Sequence, residues 1–465
     1  MSTPGTPDQP LRVAIFGSGP TGFYATDHLF KARQTTVEVD LYDRLPTPFG
    51  LVRGGVAPDH QKIKMVTRAY ERTAKNPRFR FYGGVEFGTD IRLADVRRHY
   101  HVVIYCVGAQ VDRPLNIPGI DLPRSHAATE FVAWYNGHPD YRDREFDLSH
   151  ESVAVVGVGN VAVDVCRVLA RSVDELASTD IADYALEQLR ESRIRRIHML
   201  GRRGPAQAAF SNPEILELGR LEGADIQVLE EEAALDPVSQ EWMDSGADRA
   251  APRKVQILQQ YAAERRSGKP RTLNVRFLVS PLEVLPGADG GVGGVTLVHN
   301  RLTRTPSGYI RADGTDRREH LDAGLFFRSV GYRGVPLPDV PFRDDWGVIP
   351  HAAGRVLDVP DGDHQLGQYC AGWIKRGPTG VIGTNKPDAL ETVKGLLADV
   401  AAGRHWNPAA PDRESVAGLV SERAPDYFSF ADWKALDAVE VARGKEQGRP
   451  RVKFTTVEEM QAAIR

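Results

Sequence analysis

The sequence predicts an α/β protein with parallel sheets, and three observations carry that prediction. Apolar runs of strand length end in glycine at Arg12–Phe16 before Gly17, His101–Cys106 before Gly108, Val153–Val156 before Gly157 and Leu325–Val330 before Gly331. Stretches of helical period lie between them, such as Phe23–Lys31 and Val161–Arg171, and strands alternating with helices imply parallel pairing. Two of the strand-to-helix junctions are glycine motifs about 140 residues apart, which points to two nucleotide-binding units rather than one large sheet.

Composition bounds the rest. A length of 465 residues suggests about three units of domain size. With 41% apolar and 26% charged residues the chain reads as globular, not fibrous or wholly disordered. Lys and Arg number 59 against 62 Asp and Glu, a net charge of −3, so nothing favours nucleic acid or an anionic membrane as partner. The 44 glycines fit tight turns and close ligand contacts. Cys106, Cys166 and Cys370 lie far apart, which excludes a CxxC dithiol or a four-cysteine cluster and makes a cytoplasmic location the expectation. The opening MSTPGTPDQP shows no targeting pattern and is expected to be a disordered tail over residues 1–10. The best candidate for a membrane span, Ser152 to Ala170, is interrupted by Asn160, Asp164 and Arg167, so no span is expected.

In RVAIFGSGPTG, Gly17, Gly19 and Gly22 follow a strand and open a helix. The first glycine permits the turn, the second lets backbone approach a diphosphate, and the third lets the helix pack on the strand, with the diphosphate on helix N-terminal N–H groups. The next strand, Val37–Tyr42, ends in Asp43, 21 residues past Gly22, where an acid accepts hydrogen bonds from a ribose. A carboxylate there repels a 2′-phosphate, so this loop is expected to take FAD or NAD.

SVAVVGVGNVAVD repeats the pattern as Gly157, Gly159 and Ala162. Its following strand, Ile194–Leu200, runs instead into Gly201-Arg202-Arg203-Gly204. Two guanidiniums where the acid should stand match a 2′-phosphate, which makes NADP(H) the expected ligand. A tightly held flavin and a visiting nicotinamide form the economical pair, since hydride passes between them without a side-chain base.

The segments LPTPFGLVRGGVAPDH (Leu45–His60), HVVIYCVGA (His101–Ala109), GVGNVAVD (Gly157–Asp164), GRRGPAQAAF (Gly201–Phe210), SVGYRG (Ser329–Gly334) and GWIKRGPTGVIGTNK (Gly372–Lys386) resemble the adrenodoxin-reductase family, above all its actinobacterial NADPH–ferredoxin reductases. The likeness runs from about Arg12 to the terminal RPRVKF. It implies a glutathione reductase-like fold of two Rossmann-like dinucleotide-binding domains. A discontinuous FAD domain would span residues 11–108 and 332–465, including a C-terminal extension, with an NADP domain inserted at residues 109–331. It further implies the FAD diphosphate on Gly17, Gly19 and Thr21, the ribose on Asp43, and the isoalloxazine near Leu51, Val85 and Trp373. Gly380, Val381 and Ile382 would offer N–H groups to the flavin at a helix start, where the dipole stabilises a reduced anionic ring. NADP would lie on Gly159, Asn160 and Val161, with Arg202 and Arg203 on its 2′-phosphate, Glu214 at the nicotinamide end, and Gly380 touching both cofactors.

By the same resemblance His60 and Glu217 match positions linked to proton handling and hydride transfer. Read as residues alone, His60 is as well explained as an ordinary hydrogen-bonding histidine, and Glu217 falls on an exposed helix pattern. Two departures from the family pattern stand out: Gln61 follows APDH where proline is usual, and Asp43 replaces the commoner Glu, so its ribose contact needs a shorter arm. No metal site is expected.

The function expected is NADPH–ferredoxin oxidoreductase, with hydride passing from NADPH to FAD and single electrons from FAD to an acidic iron–sulfur partner. Leu229–Asp248 carries seven acids and no Lys or Arg, whereas Arg253–Arg276 carries seven basic residues and one acid, so the run from Arg253 and Lys254 is the expected docking surface. A diaphorase or quinone reductase without a protein partner shares every cofactor residue and is the competing enzymatic reading. A nucleotide-sensing module that retains only the fold is the non-enzymatic one. From Arg404 onward Pro-rich turns alternate with short helical patterns, ending in RPRVKF and a terminal helix over Val457–Arg465, with no chemistry to read.

Overall fold

A computed structural model describes residues 4–465, and the chain divides into two compact units. One comprises Met1–Val56, His60–Val111 and Gly331–Arg465; the other comprises Ala57–Asp59 and Asp112–Val330.

The first unit is built on a seven-stranded sheet in the order His351–Ala352, Arg355–Leu357, His364–Cys370, Val102–Tyr105, Leu11–Phe16, Val37–Asp43, Phe79–Gly83. The last five pair in parallel, and the first two make an antiparallel edge. Leu11–Phe16 is buried along its whole length, so it reads as an apolar run broken only by Arg12 rather than as an alternating one. Its side chains nevertheless alternate in space: Leu11, Val13 and Ile15 enter a core with Phe23 and Leu396, while Ala14 and Phe16 enter another with Tyr42 and Tyr105. The polar residues inside the strands are paired. Asp40 accepts from Arg12 at 2.6 Å, Arg80 at 2.8 Å and Tyr100 at 2.7 Å; burial raises its pKa, but the two guanidiniums outweigh that and hold it below the usual carboxylate value.

Helices Arg413–Arg423, Phe430–Glu446 and Val457–Ile464 complete this unit, with Val416, Trp433 and Met460 in its cores. The middle one has 17 residues, longer than the short patterns expected there. The expected disordered tail also needs correction. Residues 1–3 lie outside the described residues, but Pro4 is buried, the Gly5 N–H donates to Gln9 at 2.7 Å and the Thr36 N–H donates to Gly5 at 2.7 Å. Backbone pairing beside the first strand orders a segment whose composition alone suggests disorder.

The second unit carries a six-stranded, wholly parallel sheet in the order Ser125–Ala127, Leu325–Arg328, Ser152–Val156, Arg196–Leu200, Arg271–Arg276, Ala224–Val228. Val153 and Val155 face a core with helices Ala128–Tyr135 and Asn160–Ala170. Ala154 and Val156 face the other way, into a core shared with an antiparallel sheet of Val279–Pro286, Val292–Arg304 and Ile310–Asp322. Both units are thus α/β with parallel sheets of Rossmann-like design. Among the described residues no helix is long and apolar enough to cross a membrane.

Candidate functional site

In the first unit, strand Leu11–Phe16 ends at Gly17 and helix Pro20–Phe30 begins two residues past Ser18, with proline at its first position, where a missing N–H costs nothing. The three glycines of this loop have different reasons to be glycine. Gly17 has φ +104°, and a Cβ on it would collide with the Cys106 carbonyl; one on Gly22 would collide with the Gly17 carbonyl. Gly19 is ordinary extended backbone (φ −72°, ψ −174°), and a Cβ there would meet nothing within 4 Å. The protein itself does not require glycine at this position. The open space beside it fits a diphosphate lying against the first-turn N–H groups of the helix.

Asp43 holds this loop to the second strand. Its carboxylate accepts the Ser18 N–H at 2.9 Å, the Ser18 hydroxyl at 2.6 Å and the Leu45 N–H at 3.0 Å, while burial raises its pKa from the usual value. Its first task is therefore to position the loop. The C-terminal part of the chain meets the same loop: a Cβ on Gly372 (φ +79°) would collide with Thr21, whose hydroxyl donates to Asn385 at 3.1 Å. Trp373 follows, its indole N–H donating to the Thr379 carbonyl at 3.2 Å and its ring 5.5 Å from that of Tyr332. Gly380 (φ +80°), Val381 and Ile382 then lead through a short 3₁₀ turn into helix Asn385–Ala401. Val381 is 59% exposed, an uncovered apolar side chain beside a helix start.

Leu51 is also exposed, on the short helix Leu51–Gly54. That helix is held from below by the terminal segment whose chemistry could not be read. Arg53 pairs with buried Glu440 at 2.5 and 2.8 Å and lies 5.1 Å over the Trp433 ring; Glu440 also takes Arg451 at 3.1 Å and the Phe454 N–H at 3.0 Å. RPRVKF thus acts as a clamp beneath Leu51. The Val85 side chain is 1% exposed and packs among Phe16, Tyr42 and Phe87, which leaves its backbone as the part that could face a ligand. His60 is buried at the start of the turn Gln61–Lys64, its carbonyl accepting from Ile63 and Lys64.

The second unit repeats the glycine logic. Gly157 (φ +130°) would collide with the Ser329 carbonyl if it bore a Cβ, Ala162 is buried, and Gly159 faces nothing within 4 Å. Asn160 opens helix Asn160–Ala170 and accepts the Ser211 N–H at 2.9 Å, which ties the loop to the turn before helix Asn212–Leu218; Val161 is partly buried against the core. Strand Arg196–Leu200 delivers Arg202 and Arg203. Among the described residues neither guanidinium pairs with a carboxylate. Arg203 instead lies 5.7 Å over the ring of Tyr309, whose hydroxyl is 3.5 Å from Arg202. Burial, with Arg202 beside it, lowers the Arg203 pKa from its usual value. Two cations at a strand end without a counter-charge fit a doubly charged phosphate. Tyr309 comes from the hairpin between the long antiparallel strands, and nothing in the local sequence ties it to the arginine pair.

A further cation was hidden in the sequence. Arg167, fully buried on the apolar helix Asn160–Ala170, contacts Asp164 at 2.7 Å, Glu217 at 2.9 Å, Asp59 at 3.1 Å and Glu214 at 3.2 Å. Glu217 is half-exposed but bound to this guanidinium, and Glu214 is buried against it. The signal that could have revealed Arg167 was a lone arginine in an otherwise apolar helix face. Arg167→Met is expected to cost about 3–5 kcal/mol of stability near neutral pH, because four carboxylates lose their shared cation. Urea unfolding of the variant beside the parent near pH 7 checks this; a deficit below about 1 kcal/mol would count against it.

The expected docking pair does not survive. Arg253 is exposed, but Lys254 is 3% exposed, donates to the Ala208 carbonyl and pairs with Asp248 at 3.6 Å. Helix Ala251–Ala263 turns Lys254 inward with Val255 and Leu258, so it offers no charge to a partner.

No protein-family model matches the chain. It is 44% identical over 461 residues to the NADPH-ferredoxin reductase FprA of Mycobacterium tuberculosis, spanning 97% of this chain and 98% of that one. It is 39% identical over 465 residues to the mitochondrial NADPH:adrenodoxin oxidoreductase of Arabidopsis thaliana, spanning 98% and 95%. Among solved structures, Mycobacterium tuberculosis FprA in complex with NADPH superposes with a TM-score of 0.91 at 43% identity, covering 98% of this chain and 99% of that one.

Proposed function

The chain belongs to the adrenodoxin reductase-type family of NADPH–ferredoxin reductases, and from that premise we propose which of its residues hold each cofactor. It is an oxidoreductase that carries electrons from NADPH to ferredoxin. Arg202 and Arg203, uncompensated at the strand end of the second unit, are the observation that carries the NADPH assignment. Gly159 leaves room for the diphosphate, and Asn160 and Val161 open the helix beneath it. Glu214 reaches the nicotinamide end while held by Arg167, which keeps its carboxylate in one orientation.

FAD fits the first unit. Gly17, Gly19 and Thr21 form the diphosphate cradle, with Asp43 beneath them at the ribose. Leu51, Trp373 and Val381 supply apolar cover for the ring, and Gly380 to Ile382 present backbone N–H groups at a helix start. Bound FAD supplies the step from a two-electron hydride donor to one-electron delivery. The chain's part is to bind, orient and exclude water. Its three cysteines are buried free thiols, and the next carrier on this reading is the ferredoxin; a cytoplasmic setting suits such thiols.

The test is anaerobic rapid mixing of the flavin-loaded protein with NADPH and with NADH, followed by mixing with ferredoxins. Fast bleaching by NADPH, slow bleaching by NADH and onward reduction of a ferredoxin are the expected results. Reduction of a small quinone with no ferredoxin turned over would sink the reading.

A further inference from the structure

Burial of Lys254 takes one charge out of the expected docking run, and the first unit carries a second basic surface. Between Gln61 and Arg78 the sequence places six basic residues, Lys62, Lys64, Arg68, Arg72, Lys75 and Arg78, against one acid, Glu71. That acid is engaged elsewhere, with Lys434 at 3.0 Å. In helix Thr67–Ala74 and its C-cap, the spacing of Arg68, Arg72 and Lys75 puts all three on one face. They and Lys62 are exposed, and none makes an ion pair among the described residues. Between them stand Ile63 and Met65, 40% and 48% exposed. The result is an apolar tip ringed by uncompensated cations.

The opposite face of this segment is fixed. Val66 and Ala69 pack against the core, and the Tyr70 ring stacks on Phe23 at 5.0 Å and lies 5.9 Å from Phe49. Phe49 in turn donates its N–H to the Ser18 carbonyl at 3.0 Å, and a Cβ on Gly50 would come within 3.0 Å of Gly19. The basic surface is therefore carried by a segment packed on Phe23 and Phe49, and Phe49 in turn touches the glycine loop of the first unit.

We propose that the exposed face formed by Lys62, Ile63, Met65, Arg68, Arg72 and Lys75 docks the acidic surface of the iron–sulfur electron carrier, an inference that rests on the ferredoxin-reductase reading above. The occupant is set by charge complementarity. Thiolate-ligated clusters place excess negative charge in a small protein, and a cationic rim around an apolar centre suits a short-lived protein contact. A polyanion such as nucleic acid or a lipid surface is less well served, because the whole chain is weakly negative at −3 and offers no long-range attraction.

The experiment uses the flavin-loaded enzyme and two probes, a bacterial four-iron ferredoxin and a plant-type two-iron ferredoxin. Binding is followed by calorimetry across a salt series, and NADPH-driven reduction of a small dye is measured in parallel. Arg68→Glu combined with Arg72→Glu and Lys75→Glu should weaken binding of the preferred ferredoxin by roughly tenfold or more at low salt and flatten the salt dependence. Dye reduction and thermal stability should stay near those of the parent. Arg253→Glu should change binding far less.

Unchanged ferredoxin affinity in the triple variant overturns the proposal, as does a larger loss in Arg253→Glu. Retention of the parent on phosphatidylserine vesicles, abolished in the triple variant while ferredoxin binding persists, overturns it in favour of a lipid surface. If the parent reduces neither ferredoxin, the ferredoxin-reductase reading itself fails. If the parent reduces one and the triple variant reduces it equally well, only the docking surface fails.

Discussion

Gly19→Val should give a folded protein that retains no flavin, whereas Gly17→Ala should fail earlier, at the level of the fold. The two residues are two positions apart in one motif, and the sequence assigns one to the turn and the other to the approach of the diphosphate. The structure shows how differently the fold depends on them. At Gly19 the backbone is extended and a Cβ meets only open space, so valine costs the apo fold about 1 kcal/mol or less through poorer helix capping. The same methyl groups would occupy the room in which the diphosphate has to lie. At Gly17 the positive φ and the collision with the Cys106 backbone together cost roughly 2–6 kcal/mol, enough to threaten folding. Flavin absorbance per mole of purified protein, read beside thermal unfolding of the apoprotein, distinguishes the two. A yellow, fully active Gly19→Val variant would remove the diphosphate from this loop.

Replacing Arg202 and Arg203 together with alanine should lower kcat/KM for NADPH by roughly 10²- to 10⁴-fold and leave NADH almost untouched. Each guanidinium contributes a charge-assisted hydrogen bond of about 1.5–3 kcal/mol to the 2′-phosphate. Two of them sum to about 3–6 kcal/mol, which converts to that range at 1.4 kcal/mol per tenfold. The loss should fall mainly on KM, because the 2′-phosphate is remote from the reacting carbon and its binding is common to ground and transition states. Among the described residues neither arginine has a carboxylate partner to release, so stability should move little. Initial rates with both nucleotides decide the matter. An unchanged preference for NADPH would mean that the phosphate is read elsewhere.

Legibility from sequence followed the range over which each feature is determined. Two strand-loop-helix units, the α/β class and the arginine pair are spelled out within about 50 residues each, by apolar runs, glycine spacing and strand ends. Roles set across long separations were not legible. Lys254 sits in a basic run, yet helical phase turns it inward onto Ala208, while Arg68, Arg72 and Lys75 face outward from a segment that had drawn no attention. Val85 was placed beside the ring by family likeness, and packing against Phe16 and Tyr42 leaves its backbone as the part that could face a ligand. Asp40 and Asp43 lie on one strand three residues apart; only the positions of Arg12 and Arg80 show that the first is a buried structural anion and the second the anchor of the glycine loop.

By itself, then, the sequence determined that this protein is an α/β chain with two dinucleotide loops, the second followed by cations suited to a phosphate. Those features depend on backbone geometry and charge encoded locally. Only the tertiary structure decided which side chains remain available for chemistry. It bound Glu214 and Glu217 to Arg167, used RPRVKF to clamp the helix of Leu51, buried Lys254, and left Arg68, Arg72 and Lys75 exposed with no ion pair among the described residues. The physical reason is that burial and ion pairing are settled between residues up to nearly 400 positions apart, as Arg53 and Glu440 are, and no local pattern records which partner will arrive.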